Sequence, residues 1–115
     1  MLRKGYDEVT DVRQTPGAKH PLVRTDPRTG RKALFLGRRP RSYICGLPVD
    51  ESEALLVRLL NHTTQPDFVY AHKWTVGDIV IWDNRAVLHR GRSWNDAIHK
   101  RTLHRTTVAG DGPTV

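Results

Sequence analysis

The chain has 115 residues, 37% of them hydrophobic and 27% charged, which suits one small domain or part of a larger one. Its formal net charge is +7 at pH 7, its mean hydropathy is −0.56, and it has no run of about 18 apolar residues, so a membrane-spanning helix is excluded. The single cysteine, Cys45, permits no internal disulfide, and Met1–Gly5 has no apolar core behind it; a cytoplasmic protein without a signal peptide is the expectation.

In chain order, Met1 to Lys19 shows weak periodicity and carries the breaker Pro16-Gly17, so residues 1–19 are expected to be a connector. His20-Pro21-Leu22-Val23-Arg24 reads as a short extended piece, because proline disfavours helix for the residue before it. Thr25 to Gly30 is a turn, with Pro27 fixing one torsion and Gly30 able to supply a positive φ. Arg31 to Leu36 is a strand, Gly37 to Pro40 turns the chain, and Ser42 to Cys45 is a second, shorter strand. Asp50 to Asn61 is the one helix: Asp50 is the expected N-cap, Glu53 completes a capping-box pattern, and Leu55, Leu56, Leu59 and Leu60 form one stripe. Thr63 to Pro66 stops it. That helix is expected to be a packing element.

The remainder reads as β structure. Phe68 to Trp74 alternates as a strand does, Gly77-Asp78 turns it back, and Ile79-Val80-Ile81-Trp82 is apolar on both faces, as a strand covered on both sides would be. Asp83-Asn84-Arg85 is a polar corner, Val87-Leu88-His89 is extended, Arg92 to His99 is a loop, and Arg101 to Val108 is the last strand. Residues 112–115 are expected to form a tail. The predicted class is mainly β with one helix.

Several side chains could carry chemistry. In the last strand Arg101, Leu103, Arg105 and Thr107 share a face, and at ~3.3 Å of rise per residue the two arginines sit about 13 Å apart. His89 on the preceding strand is a candidate ligand, although a lone strand histidine is more often a hydrogen-bonding or core residue. Arg101 presents a planar fork suited to a carboxylate; its bland alternative is a solvated strand cation. Trp74 and Trp82 are expected to fill a core. The basic excess invites a nucleic-acid reading, but no nucleic-acid-binding motif accompanies it. The competing class is a non-enzymatic basic binding module on a remnant fold, using Arg38, Arg39, Arg41, Arg90 and Arg92.

The run Trp74…Gly77-Asp78-Ile79-Val80-Ile81-Trp82-Asp83-Asn84-Arg85, the segment Leu88-His89-Arg90, and the ending Arg101-Thr102-Leu103-His104-Arg105-Thr106-Thr107-Val108-Ala109-Gly110-Asp111 resemble the TauD/TfdA family of Fe(II)- and 2-oxoglutarate-dependent dioxygenases. His20-Pro21-Leu22-Val23-Arg24 and Thr29-Gly30-Arg31 add to the likeness, which spans roughly Gly5 to Asp111. It covers the C-terminal portion of the family's domain, residues 20–111 here. The resemblance implies a partial double-stranded β-helix, that is, a jelly-roll or cupin-like fold. It implies Fe(II), 2-oxoglutarate as co-substrate and O2, and a small anionic substrate such as a sulfonate or aryloxy acid.

By the same resemblance His89 is a metal ligand, Arg101 binds the far carboxylate of 2-oxoglutarate, and Arg105 meets an anionic group of the substrate or helps neutralise the co-substrate. Lys100 is the alternative to Arg101. No catalytic side chain beyond the metal site is expected, and His20, His62, His72, His99 and His104 are read as non-ligands. The family's other two ligands form a His-x-Asp or His-x-Glu pair. No histidine of this chain has an acidic residue two positions on, and one imidazole cannot hold Fe(II) in a two-His, one-carboxylate site. The chain alone is therefore expected to be inactive, with an upstream segment or a subunit completing the barrel; a homo-oligomer is expected as a separate form of association.

Overall fold

The computed structural model describes residues 11–37 and 41–112, so the expectations for Met1–Thr10, for the Arg38–Pro40 turn and for residues 113–115 fall outside the described residues. A hairpin comes first among the regular β elements. Strand β1 (Val23–Thr25) pairs antiparallel with β2 (Lys32–Leu34), in the register Val23↔Leu34, Arg24↔Ala33, Thr25↔Lys32. Phe35 N–H donates to Leu22 O at 2.8 Å and extends the ladder by one rung. The turn closes as proline and glycine dictate: Gly30 has φ 72 and its N–H donates to Asp26 O at 2.8 Å. The Asp26 carboxylate accepts from Arg28 N–H at 2.8 Å, the local side-chain turn that aspartate favours. His20 packs edge-on against Phe35, with ring centroids 5.3 Å apart.

The helix α1 runs Val49–Thr63, longer at both ends than the expected Asp50–Asn61. Its N-cap is Pro48 rather than Asp50, with no side-chain cap. Ser52 N–H donates to Pro48 O at 2.9 Å, so the helix begins on a residue whose φ is already fixed and which has no N–H of its own. Asp50 and Glu51 then fall in the first turn, where negative charge complements the helix dipole. The leucine stripe faces inward as its spacing requires: Leu56 is 3% exposed, and Leu55, Leu59 and Leu60 are half-buried. Ser52 lies on the same stripe.

Ser52 also explains why the expected strand at Ser42–Cys45 is absent. The Ser52 Oγ accepts the N–H of Ile44 at 2.7 Å, and Leu47 N–H donates to Ile44 O at 3.3 Å across a turn containing Gly46 at φ 89. Both backbone groups of Ile44 are thus spent on the helix and a turn, which leaves nothing for a ladder.

From Val69 to Gly112 the described residues contain turns but no ladder. A 3-10 turn at Pro66–Phe68 takes the first residue of the expected Phe68–Trp74 strand. Asp78 N–H bonds Thr75 O at 3.0 Å, Ala86 N–H bonds Asp83 O at 3.0 Å, and His99 N–H bonds Asn95 O at 2.9 Å. The strands expected at Ile79–Trp82, Val87–His89 and Arg101–Val108 are not formed as paired strands. A strand is stable only when its backbone groups meet a neighbour, and no described segment supplies one. The period-two pattern survives without the ladder. Ile79 and Ile81 are 87% and 90% exposed, while Val80 between them is half-buried. The face that the apolar run was expected to cover on both sides is bare on one. Of the expected mainly β, jelly-roll fold with one helix, the described residues show the one α-helix and two antiparallel strands and do not show a jelly-roll. No helix among the described residues is long and apolar enough to cross a membrane.

Candidate functional site

The corner between the apolar run and His89 is held by its own side chains. Asp83 Oδ1 accepts from Arg85 N–H at 2.9 Å and from Arg85 Nε at 3.1 Å. The Arg85 guanidinium, which donates a side-chain hydrogen bond, holds the Asp83 carboxyl below its ordinary value, and the positive charge of Arg24 on β1 adds to this. Arg85 in turn is held above its ordinary value, first by Asp83 and more weakly by Asp26 and Asp111. The charges of the corner thus interact with those of Arg24 and Asp26 in the hairpin. Arg24 is 7% exposed and its Nε has no hydrogen-bond partner.

His89 is exposed and its ring packs against Trp82, centroids 4.6 Å apart at 47°. The Trp82 indole N–H donates to Asn84 Oδ1 at 2.7 Å. Asn84, expected only to shape the corner, thus fixes the ring that lies against the imidazole. Trp82 and Trp74 are both substantially exposed, so neither fills a core here as the sequence had indicated.

Arg101 comes back to the same stretch of chain. Its Nη1 and Nη2 lie 3.8 and 3.9 Å from where a Cβ on Gly91 would stand. Two residues span at most about 7 Å between Cα atoms, which places the guanidinium about 12 Å or less from the His89 Cα. The Arg101 Cζ sits 5.3 Å from the centroid of Trp94. Arg105 is exposed and forms no hydrogen bond or ion pair with any described residue. The structure thus brings the Arg101 guanidinium back to the segment that follows His89. Trp94 lies in the expected Arg92–His99 loop, and no local spacing in the sequence ties it to Arg101.

The other histidines have neighbours of their own. His62 lies 5.4 Å from the Phe68 ring. His72 bonds Asp78 Oδ2 through Nε2 at 3.0 Å and Tyr70 Oη through Nδ1 at 3.1 Å. A carboxylate only accepts, so Nε2 carries a proton directed at Asp78, and Nδ1 shares a hydrogen bond with Tyr70 Oη. Asp78 also accepts Thr75 N–H at 2.9 Å, and these bonds hold its carboxyl below the ordinary value, the Thr75 bond most of all. Among the described residues no three His, Cys, Asp or Glu side chains gather as metal ligands. The described residues thus do not by themselves fit Fe(II). Of the arginines in the competing basic-module reading, Arg38 and Arg39 fall outside the described residues, while Arg90 and Arg92 are exposed.

The model of the family "Taurine catabolism dioxygenase TauD, TfdA family" matches residues 3–107, and the chain belongs to that family. It is 52% identical over 96 residues to the alpha-ketoglutarate-dependent 2,4-dichlorophenoxyacetate dioxygenase of Cupriavidus pinatubonensis, covering 84% of this chain and 33% of that protein. It is 44% identical over 96 residues to the (S)-phenoxypropionate/alpha-ketoglutarate-dioxygenase of Sphingobium herbicidovorans, covering 84% of this chain and 33% of that protein. It is 35% identical over 95 residues to an alpha-ketoglutarate-dependent sulfate ester dioxygenase of Pseudomonas putida, covering 83% of this chain and 31% of that protein. The chain spans about a third of the length of the curated relatives it matches. No solved structure matches it.

Proposed function

We propose that the chain is the C-terminal portion of an Fe(II)- and 2-oxoglutarate-dependent dioxygenase of jelly-roll fold. Its substrate is a small organic anion, with an aryloxyalkanoate ranked ahead of a sulfonate or sulfate ester. The ranking rests on the names of the relatives, since the two with 52% and 44% identity act by name on 2,4-dichlorophenoxyacetate and (S)-phenoxypropionate. The observation that carries the site reading is the return of the Arg101 guanidinium to Gly91, two residues past His89.

In this reading His89 contributes one imidazole to the metal, and Arg101 offers paired N–H groups to the far carboxylate of 2-oxoglutarate. Arg105 offers its charge to the substrate anion. These residues bind and orient, and the oxidation belongs to a metal site they do not complete. The bare face of Ile79 and Ile81 is where a further polypeptide segment or subunit supplies neighbouring strands and the His-x-acid pair.

The test adds to this chain a polypeptide corresponding to the remaining two thirds of the Cupriavidus pinatubonensis relative. Succinate release is then followed with Fe(II), 2-oxoglutarate and 2,4-dichlorophenoxyacetate. Turnover should appear only in the mixture, and His89→Ala should abolish it. Turnover that survives His89→Ala would remove His89 from the metal site.

A further inference from the structure

We infer that Trp94 is a positioning residue for carboxylate recognition by Arg101, holding the guanidinium by one face so that its N–H edge stays free for the ligand. The inference rests on the reading of Arg101 as the residue that binds 2-oxoglutarate.

The arginines near acidic groups in this chain are paired: Arg13 with Asp11, Arg28 with Asp26, Arg85 with Asp83. Arg101 makes no ion pair or hydrogen bond with any described residue, yet its side chain is not loose in its placement. The Cζ stands 5.3 Å from the Trp94 ring centroid, within the range at which a guanidinium is attracted to an aromatic face. The terminal nitrogens are 3.8 and 3.9 Å from the position a Gly91 Cβ would occupy.

Gly91 is not among the glycines with positive φ, so the backbone does not require glycine there. Nor does the space: a methyl group there would sit in ordinary van der Waals contact with the guanidinium, so Gly91 marks where the cation comes to rest without compelling it. Indole and glycine backbone thus both lie close to the guanidinium. A face-on contact leaves the in-plane donors unused, and those are the donors a carboxylate takes two at a time. Holding a long side chain beforehand also lowers the entropy lost when the ligand binds.

The test is a titration of the full chain with 2-oxoglutarate, followed through the Arg101 side-chain NMR signals. In the free chain these signals should be displaced by the ring current of Trp94. Trp94→Ala should return them to random-coil positions, and Trp94→Phe, which keeps an aromatic face, should retain part of the displacement. Trp94→Ala should raise the Kd for 2-oxoglutarate about two- to fivefold, the range of an exposed cation–π contact, and Trp94→Phe should restore most of it. The Trp82 indole signal, bonded to Asn84, serves as the folding control and should be unchanged in every variant.

Should Arg101→Ala abolish the titration while Trp94→Ala leaves it untouched, the role of Trp94 falls and the reading of Arg101 stands. Should Arg101→Ala titrate like the unaltered chain, the reading of Arg101 itself falls. Absence of any saturable response in the unaltered chain would remove both.

Discussion

Replacing Ser52 by alanine tests how the helix organises the chain around it. Ser52 is 1% exposed and its Oγ accepts the Ile44 N–H at 2.7 Å. Alanine keeps the volume of the Cβ and removes the acceptor, leaving the Ile44 N–H without its partner. An unsatisfied buried donor costs about 1–3 kcal/mol. Ile44 is half-buried rather than buried, so water can replace part of the bond and the lower half of that range applies, about 1–2 kcal/mol. Alanine is the better helix former by about 0.5 kcal/mol, and this opposes the loss. The net expectation is a destabilisation of about 0.5–1.5 kcal/mol. In urea unfolding the midpoint should fall with the slope unchanged, and the Ile44 amide should lose hydrogen-exchange protection ahead of the helix amides. A variant as stable as the parent, or more stable, with Ile44 exchanging no faster, would show that the bond does not hold segment 42–45 to α1.

Two further outcomes are expected. The Asp11 carboxyl titrates at about 2, held down first by its side-chain hydrogen bond from Arg13, and Asp83 titrates below its ordinary value for the same reason, through Arg85. A carboxyl lowered in the folded state contributes stability that is present above its unfolded value near 3.8 and is lost as pH falls through the folded value. Arg13→Ala and Arg85→Ala should each bring the partner's 13C titration midpoint back up, and Arg24→Ala should raise that of Asp83 by less. An Asp83 midpoint at the ordinary value in the unaltered chain would contradict the geometry. For the turn at Thr75–Asp78, Gly77→Ala should cost about 1–2 kcal/mol in urea unfolding. Gly77 has φ 93 with open space around its Cβ position, so the penalty is one of backbone conformation alone. Gly91→Ala, at an ordinary φ, should change stability little; equal costs at the two positions would refute this account.

The hairpin was legible because its signals are local. Pro27 and Gly30 fix torsions within the turn, and the flanking residues have no better use for their backbone groups. The helix was legible as a stripe of leucines, but its start was not. Asp50 and Glu53 imitate a capping box, whereas Pro48, with φ already set, takes the N-cap position. At Ser42–Cys45 the period-two pattern lost to a hydroxyl eight residues further along, and no local rule announces such a bond. Trp94 went unnoticed because its contact is with Arg101, seven residues away across a loop.

Family membership, the turns and the helical stripe follow from the sequence alone, because each is written in residues close together or in a run of matching identities. Tertiary structure alone decided which backbone groups found partners. The Ile44 amide meets Ser52, Arg101 comes to rest near Trp94 and Gly91, and the apolar run at Ile79–Ile81 stays bare on one face. The reason is physical: a torsional preference belongs to a residue and its neighbours, whereas a strand pairing or a buried contact belongs to whatever the chain brings alongside.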